Sequence, residues 1–237
     1  ITSGDVDTTG ATYAGRITLL RSTGSLELRN LTLADGGKYT VTIIPDGAAA
    51  LTGSCVLSVH VSGVKVNVST ADVFESNSSV RLSCSSSGSS LSFLWLNSSS
   101  EVTASDRVHT TDGGSTLVIS NVTRYDQGPF RCRVSNPVST GTSDPVNLSV
   151  LYGPDQTIIT APPALHPGDF AVLHCSAPSA PPATILWTFE GEATEVSEAV
   201  LVLPRVSPSD GGTYGCTAVN AATGRHRSAS HAVAVAG

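Results

Sequence analysis

Apolar and polar residues alternate along this chain in short runs broken by glycine, proline and serine, the period-two pattern of half-buried β-strands. Val80, Leu82 and Cys84 alternate with Arg81 and Ser83. Leu91, Phe93 and Trp95 form a second such run, and Val146, Leu148 and Val150 a third, with Asn147 and Ser149 pointing the other way. Cys55, Leu57, Val59 and Val61 share one parity, which the alternation assigns to the core face.

Three runs repeat each other without a gap. Leu26 to Val41 reads L-E-L-R-N-L-T-L-A-D-G-G-K-Y-T-V, Leu117 to Cys132 reads L-V-I-S-N-V-T-R-Y-D-Q-G-P-F-R-C, and Leu201 to Cys216 reads L-V-L-P-R-V-S-P-S-D-G-G-T-Y-G-C. Each gives a strand, a corner with D-x-G, and the start of the next strand. Repeats at this spacing are the signature of tandem units. Trp95 follows Cys84 by 11 residues and Trp187 follows Cys175 by 12. A cysteine, then a core tryptophan, then D-x-G-x-[YF]-x-C is the constellation of an immunoglobulin sandwich.

The reading is therefore all-β: tandem immunoglobulin-like β-sandwiches in an extended rod. Residues 1–61 are expected to be the carboxy-terminal part of a variable-type domain, because they are too few for a sandwich of roughly 100 residues. Its first strands are expected upstream of Ile1 or on another chain. Residues 62–151 and 152–237 are expected to be constant- or intermediate-type domains, joined by short linkers at His60–Gly63 and Leu151–Asp155.

Five cysteines change the picture next. Cys84 is expected to bridge to Cys132 and Cys175 to Cys216, each closing a loop that adds about 4 kcal/mol in the chain-entropy view. Such bridges belong to an oxidising compartment. Val41 stands where domain 1 would carry its second cysteine, and Cys55 is left unpaired, with burial the first expectation and an intermolecular bridge the second. Arg16 is placed to pair with Asp35, and Arg107 with Asp126. Phe130 lacks the corner hydroxyl that Tyr214 keeps.

Six of the eight asparagines, Asn30, Asn67, Asn77, Asn97, Asn121 and Asn147, lie in N-x-[ST]. They favour N-linked glycans on an extracellular protein, at a cell surface or secreted. A net charge of −6 argues against nucleic acid as the main partner. No apolar run approaches the ~20 residues of a membrane span. The motifs of hydrolases, nucleotide-binding loops and zinc enzymes are missing, so no enzyme activity, metal or cofactor is expected.

Asn136-Pro-Val-Ser-Thr-Gly-Thr-Ser-Asp-Pro-Val-Asn-Leu-Ser-Val-Leu-Tyr-Gly-Pro-Asp155 resembles the end of the first constant-type domain of the carcinoembryonic antigen-related cell adhesion molecules. Tyr13-Ala-Gly-Arg-Ile-Thr18, Asn30-Leu-Thr32 and Asp35-Gly-Gly-Lys-Tyr-Thr-Val41 are similar to that family's first domain, which also lacks the intersheet bridge. The resemblance implies adhesion to a like or related immunoglobulin-superfamily molecule through the exposed sheet of domain 1, a face that microbes also exploit. It places Thr42 and Ile44 at contact positions. Alternation puts Thr40, Thr42 and Ile44 outward and Tyr39 and Val41 inward. The alternatives are a secreted matrix or filament component cross-linked through Cys55, and a receptor or decoy for microbial adhesins.

Overall fold

The computed structural model describes residues 2–3, 6–70 and 72–236, and they form an all-β chain. In order, the strands are β1 (Thr2–Ser3), β2 (Val6–Asp7), β3 (Ile17–Leu20), β4 (Ser25–Leu28), β5 (Gly37–Ile43), β6 (Leu51–Leu57), β7 (Ser62–Val68) and β8 (Asp72–Phe74). There follow β9 (Val80–Ser87), β10 (Ser92–Asn97), β11 (Ser100–Glu101), β12 (Val108–Thr111), β13 (Thr116–Ile119), β14 (Phe130–Asn136), β15 (Ser139–Thr142) and β16 (Ser149–Leu151). The last set is β17 (Ile158–Thr160), β18 (Ala171–Ser176), β19 (Thr184–Phe189), β20 (Glu192–Ala193), β21 (Val200–Leu203), β22 (Gly212–Asn220) and β23 (Arg225–Val233).

The chain divides into two compact units. One holds Ile1–Lys65 with Cys84–Leu94 and Cys132–Ser143; the other holds Val66–Ser83, Trp95–Arg131 and Asp144–Gly237. In the first, β3 pairs antiparallel with β4 and β5 with β6, each as a two-stranded sheet. The alternation expected from the sequence is present there, but it does not bury what it was expected to bury. Val41 is 56% exposed and Cys55 is an exposed free thiol. Two-stranded sheets have an inward parity, but among the described residues no strand packs over that parity to cover it.

The middle repeat forms two four-stranded sheets, β11-β10-β14-β15 and β12-β13-β9-β7. Val80, Leu82, Leu117, Ile119 and Val134 are at most 1% exposed. Aliphatic side chains removed from water to this degree contribute about 1.5–3 kcal/mol each. Cys84 is bonded to Cys132 with their Cα atoms 6.2 Å apart. Trp95 is 2% exposed and its indole N–H donates to Gly114 O at 2.9 Å. The final strand of this repeat is split: β15 pairs with β14, whereas β16 runs parallel to β8, with Val150 opposite Val73.

The last repeat packs β17-β18-β21 and β20-β19-β22-β23 around Leu173, Trp187, Leu201, Tyr214 and the Cys175–Cys216 bridge. Trp187 repeats the indole device, donating to Glu198 O at 2.8 Å.

The D-x-G corner has the same physical cause in all three repeats. The aspartate carboxylate accepts the backbone N–H and the hydroxyl of a Thr or Ser three residues earlier. Thr32 N–H lies 2.6 Å from Asp35 Oδ2, Thr123 N–H 2.7 Å from Asp126 Oδ2, and Ser207 N–H 2.7 Å from Asp210 Oδ2. This reciprocal bonding holds the tight turn that reverses the chain.

Candidate partner-binding face

Strand β5 is held by its corner. Arg16 pairs with Asp35, and its guanidinium also donates to Asn30 O at 3.0 Å and Arg29 O at 3.2 Å. Asp35 is only 3% exposed, so this pair is not the wet surface contact that either ion alone would suggest. The Arg16 guanidinium, with the Thr32 N–H, holds the Asp35 carboxyl well below its ordinary range, at about 2. Tyr39 then ties the strand back to the corner, its hydroxyl donating to Asp35 O at 2.7 Å.

Residues opposite each other in an antiparallel pair share a face. Thr40 is opposite Ser54 and Thr42 opposite Thr52, so one face of the hairpin carries four small hydroxyls, with Lys38 opposite Val56 at one end of it. Thr40 and Thr42 are both exposed, as the sequence predicts. Tyr39–Cys55, Val41–Gly53 and Ile43–Leu51 occupy the other face. Strand β5 ends at Ile43, and Ile44 lies outside the ladder just before Pro45, which has no N–H to continue it. Ile44 is 78% exposed, the most exposed of the large aliphatic side chains described.

The other expected residues are spread widely. Asn30, Asn67, Asn77, Asn121 and Asn147 are exposed, and Asn97, at the end of β10, is half-buried. Arg107 pairs with Asp126 at 3.1 Å. The corner tyrosine recurs at Tyr214, whose hydroxyl donates to Asp210 O at 3.0 Å, while Phe130 is buried without that bond. Asp210 belongs to no ion pair among the described residues. No cluster of His, Cys, Asp and Glu among them could hold a metal, and none of the helices there is long and apolar enough to cross a membrane.

Two polar joints escaped the sequence reading. Arg124 donates to both oxygens of Glu75, at 2.9 and 2.6 Å, and to Asp155 at 2.6 Å. Asn136 and Asn220, each four residues after the second cysteine of its repeat, close the ends of β14 and β22. Asn136 Nδ2 donates to Val59 O at 2.7 Å, and Asn220 Nδ2 to Tyr152 O at 3.1 Å. Carrying the repeat alignment four residues further reveals the asparagine pair; nothing local reveals Arg124.

Residues 64–136 and 156–235 each match an immunoglobulin-domain family model. The chain is similar in structure to the three-domain ectodomain of mouse nectin-like molecule 4, with a TM-score of 0.58 at 22% identity, over 89% of this chain and 76% of that one. It is also similar to the N-terminal four immunoglobulin domains of Dscam1 isoform 1.9, with a TM-score of 0.50 at 25% identity, over 96% of this chain and 61% of that one. Murine CEACAM1b is 30% identical over 60% of this chain and 72% of its own, with a TM-score of 0.39. The chain spans about three-fifths of the length of the Dscam1 structures it matches. Cysteine bridges, core tryptophans, repeated corners and the two family-model matches agree: the chain is an immunoglobulin-superfamily protein built from tandem immunoglobulin domains.

Proposed function

We propose that this chain is an extracellular cell-adhesion ectodomain that binds a like or related immunoglobulin-superfamily molecule through the β5–β6 face. The observation that carries the reading is Ile44, 78% exposed beside a hydroxyl-lined face with no charged residue at Thr40, Thr42, Thr52 or Ser54. Val56, 68% exposed, and Lys38 share the face with those hydroxyls, and exposed aliphatic side chains grouped on one surface mark interaction sites. In this reading residues 1–61 are the carboxy-terminal part of the variable-type binding domain, and 62–151 and 152–237 are spacers. N-linked glycans at the exposed sequons of 62–151 keep that spacer from pairing indiscriminately.

Sedimentation velocity over a concentration series tests it. Reversible dimers that Ile44→Asp abolishes are expected. A dimer untouched by that substitution would remove the face from the mechanism. The exposed thiol of Cys55 favours a second reading, a secreted matrix or filament component whose chains cross-link there. Large species that vanish only on reduction would select it.

A further inference from the structure

At one end of the middle repeat the two sheets part into a cleft of about 480 Å³. That lies within the range of about 300–1,000 Å³ of sites that hold small ligands. Its lining comes from β10 and β11 of one sheet and from β12 and β13 of the other, so it opens between the layers. Val108 lines it beside the buried Ile119 and Phe130, and the exposed Ser100, Glu101 and Thr103 line it with hydroxyls and a carboxylate.

Asn97 lines the same cleft. It follows Trp95 by two residues on β10, so it shares the parity of the core tryptophan. Ser98 and Ser99 turn the chain, Asn97 stands opposite Ser100, and the Ser98 N–H donates to Pro129 O at 2.8 Å. That turn fixes where Asn97 points. The other five sequon asparagines are exposed, and Asn97 is half-buried. Asn136 and Asn220, which lie outside sequons, spend their amides on main-chain carbonyls. The Asn97 amide makes no hydrogen bond among the described residues.

The corner beside the cleft also lacks a group. Tyr39 donates to Asp35 O and Tyr214 to Asp210 O in the flanking repeats. Here the equivalent residues, Phe130 and Asp126, both line the cleft, and no side chain or backbone N–H among the described residues donates to Asp126 O. An acceptor is left next to an apolar ring.

We propose that the cleft seats the N-linked glycan of Asn97, with the first N-acetylglucosamine packed between the ends of the two sheets. The C–H face of the sugar covers the apolar lining, and its hydroxyls and acetamide meet the polar lining. This rests on the extracellular reading above, because the secretory pathway supplies the glycan. Transfer precedes folding, while the amide is open. The Asn97 amide nitrogen bonds to C1 of the sugar, the bond from C1 to the lipid-linked pyrophosphate donor breaks, and the amide proton leaves with the pyrophosphate. Folding then brings β10 and β12 to either side of the sugar. This glycan is part of the sandwich, whereas those on the exposed sequons stand in solvent.

The test uses the 237-residue chain secreted from mammalian cells, with occupancy read site by site by mass spectrometry. Asn97 is expected to carry glycan. A peptide-N-glycosidase must reach the bond between asparagine and the first sugar. It is expected to strip the exposed sequons of the native chain and to strip Asn97 only after denaturation. Ser99→Ala removes this sequon and leaves Asn97 in place. It is expected to lower the melting temperature by about 4–8 °C in the glycosylated chain and to leave it unchanged in a chain made without glycans. Ser79→Ala, which removes the exposed Asn77 sequon, is expected to change it in neither. An unmodified Asn97 overturns the proposal; with the other sequons occupied the extracellular reading stands, and with all six bare that reading falls as well. Release of the Asn97 glycan from the native chain as fast as from the exposed sites also overturns the proposal, as does a melting temperature indifferent to Ser99→Ala.

Discussion

The guanidinium of Arg124 lies over the ring of Tyr152, its Cζ 3.9 Å from the ring centroid. The same group holds Glu75 and Asp155, which are 49 and 31 residues away in sequence. A planar fork can serve two carboxylates and a π-face together; an ammonium cannot. Arg124→Lys is therefore expected to cost about 1–2 kcal/mol, read as a lower denaturant midpoint. Glu75→Gln should cost less, because the Arg124–Asp155 pair survives it.

Low pH should weaken the corner of the first repeat. Folding favours the ionised form of Asp35, whose carboxyl is lowered from 3.8 to about 2 by Arg16 and Thr32. Its contribution is complete above the ordinary carboxylate range and is lost as pH falls from about 4 to 2. Asp126 shifts in the same direction: burial raises it, but hydrogen bonds from Arg107 and Thr123 outweigh burial. Thermal melts should lose stability across this window. Arg16→Gln should be less stable than the parent at neutral pH and should converge with it near pH 2.

Gly153 cannot be replaced. Its φ is +72°, and a Cβ there would lie 2.4 Å from Pro178 O and 2.9 Å from Ser179 Cα, both on the main chain. Gly153→Ala is expected to destabilise by at least about 2 kcal/mol, measured by chemical denaturation.

Tyr214→Phe removes one buried hydroxyl and leaves Asp210 O without its partner. A loss of about 1 kcal/mol is expected, visible in the melting temperature. Tyr39→Phe makes the same change in the first repeat, where the bond to Asp35 O is 2.7 Å.

Cys55 should react with a maleimide in the native chain, and mass spectrometry should find one adduct. The other four cysteines are bonded and should label only after reduction.

Much of this was legible in the sequence because the repeats align without gaps. The aligned corners place Asp35 and Asp126, the strand before each repeat brings Arg16 and Arg107 to them, and the cysteine–tryptophan–corner constellation pairs the four bridged cysteines. The Arg–Asp pair recurs at one offset of 19, whereas the bridged cysteines, 48 and 41 residues apart, recur by their place around the core tryptophan and the corner. The Arg124 joint recurs nowhere, so no pattern announces it. Period-two alternation assigned Cys55 and Val41 to a face correctly, but a period cannot say whether anything covers that face. Thr40 and Thr42 needed only parity. Ile44 needed the added constraint of Pro45, which ends the ladder one residue early.

The split final strand of the middle repeat has a mechanical consequence. Strand β8 stands near the start of that repeat and β16 at its end, and the two run parallel with Ser149, Val150 and Leu151 opposite Asp72, Val73 and Phe74. A pull on the two ends of the repeat drags these strands past each other lengthwise. Their evenly spaced, slanted hydrogen bonds are then loaded together instead of parting one after another. A force along such a chain would meet a latch at this point that resists as a whole and then releases as a whole.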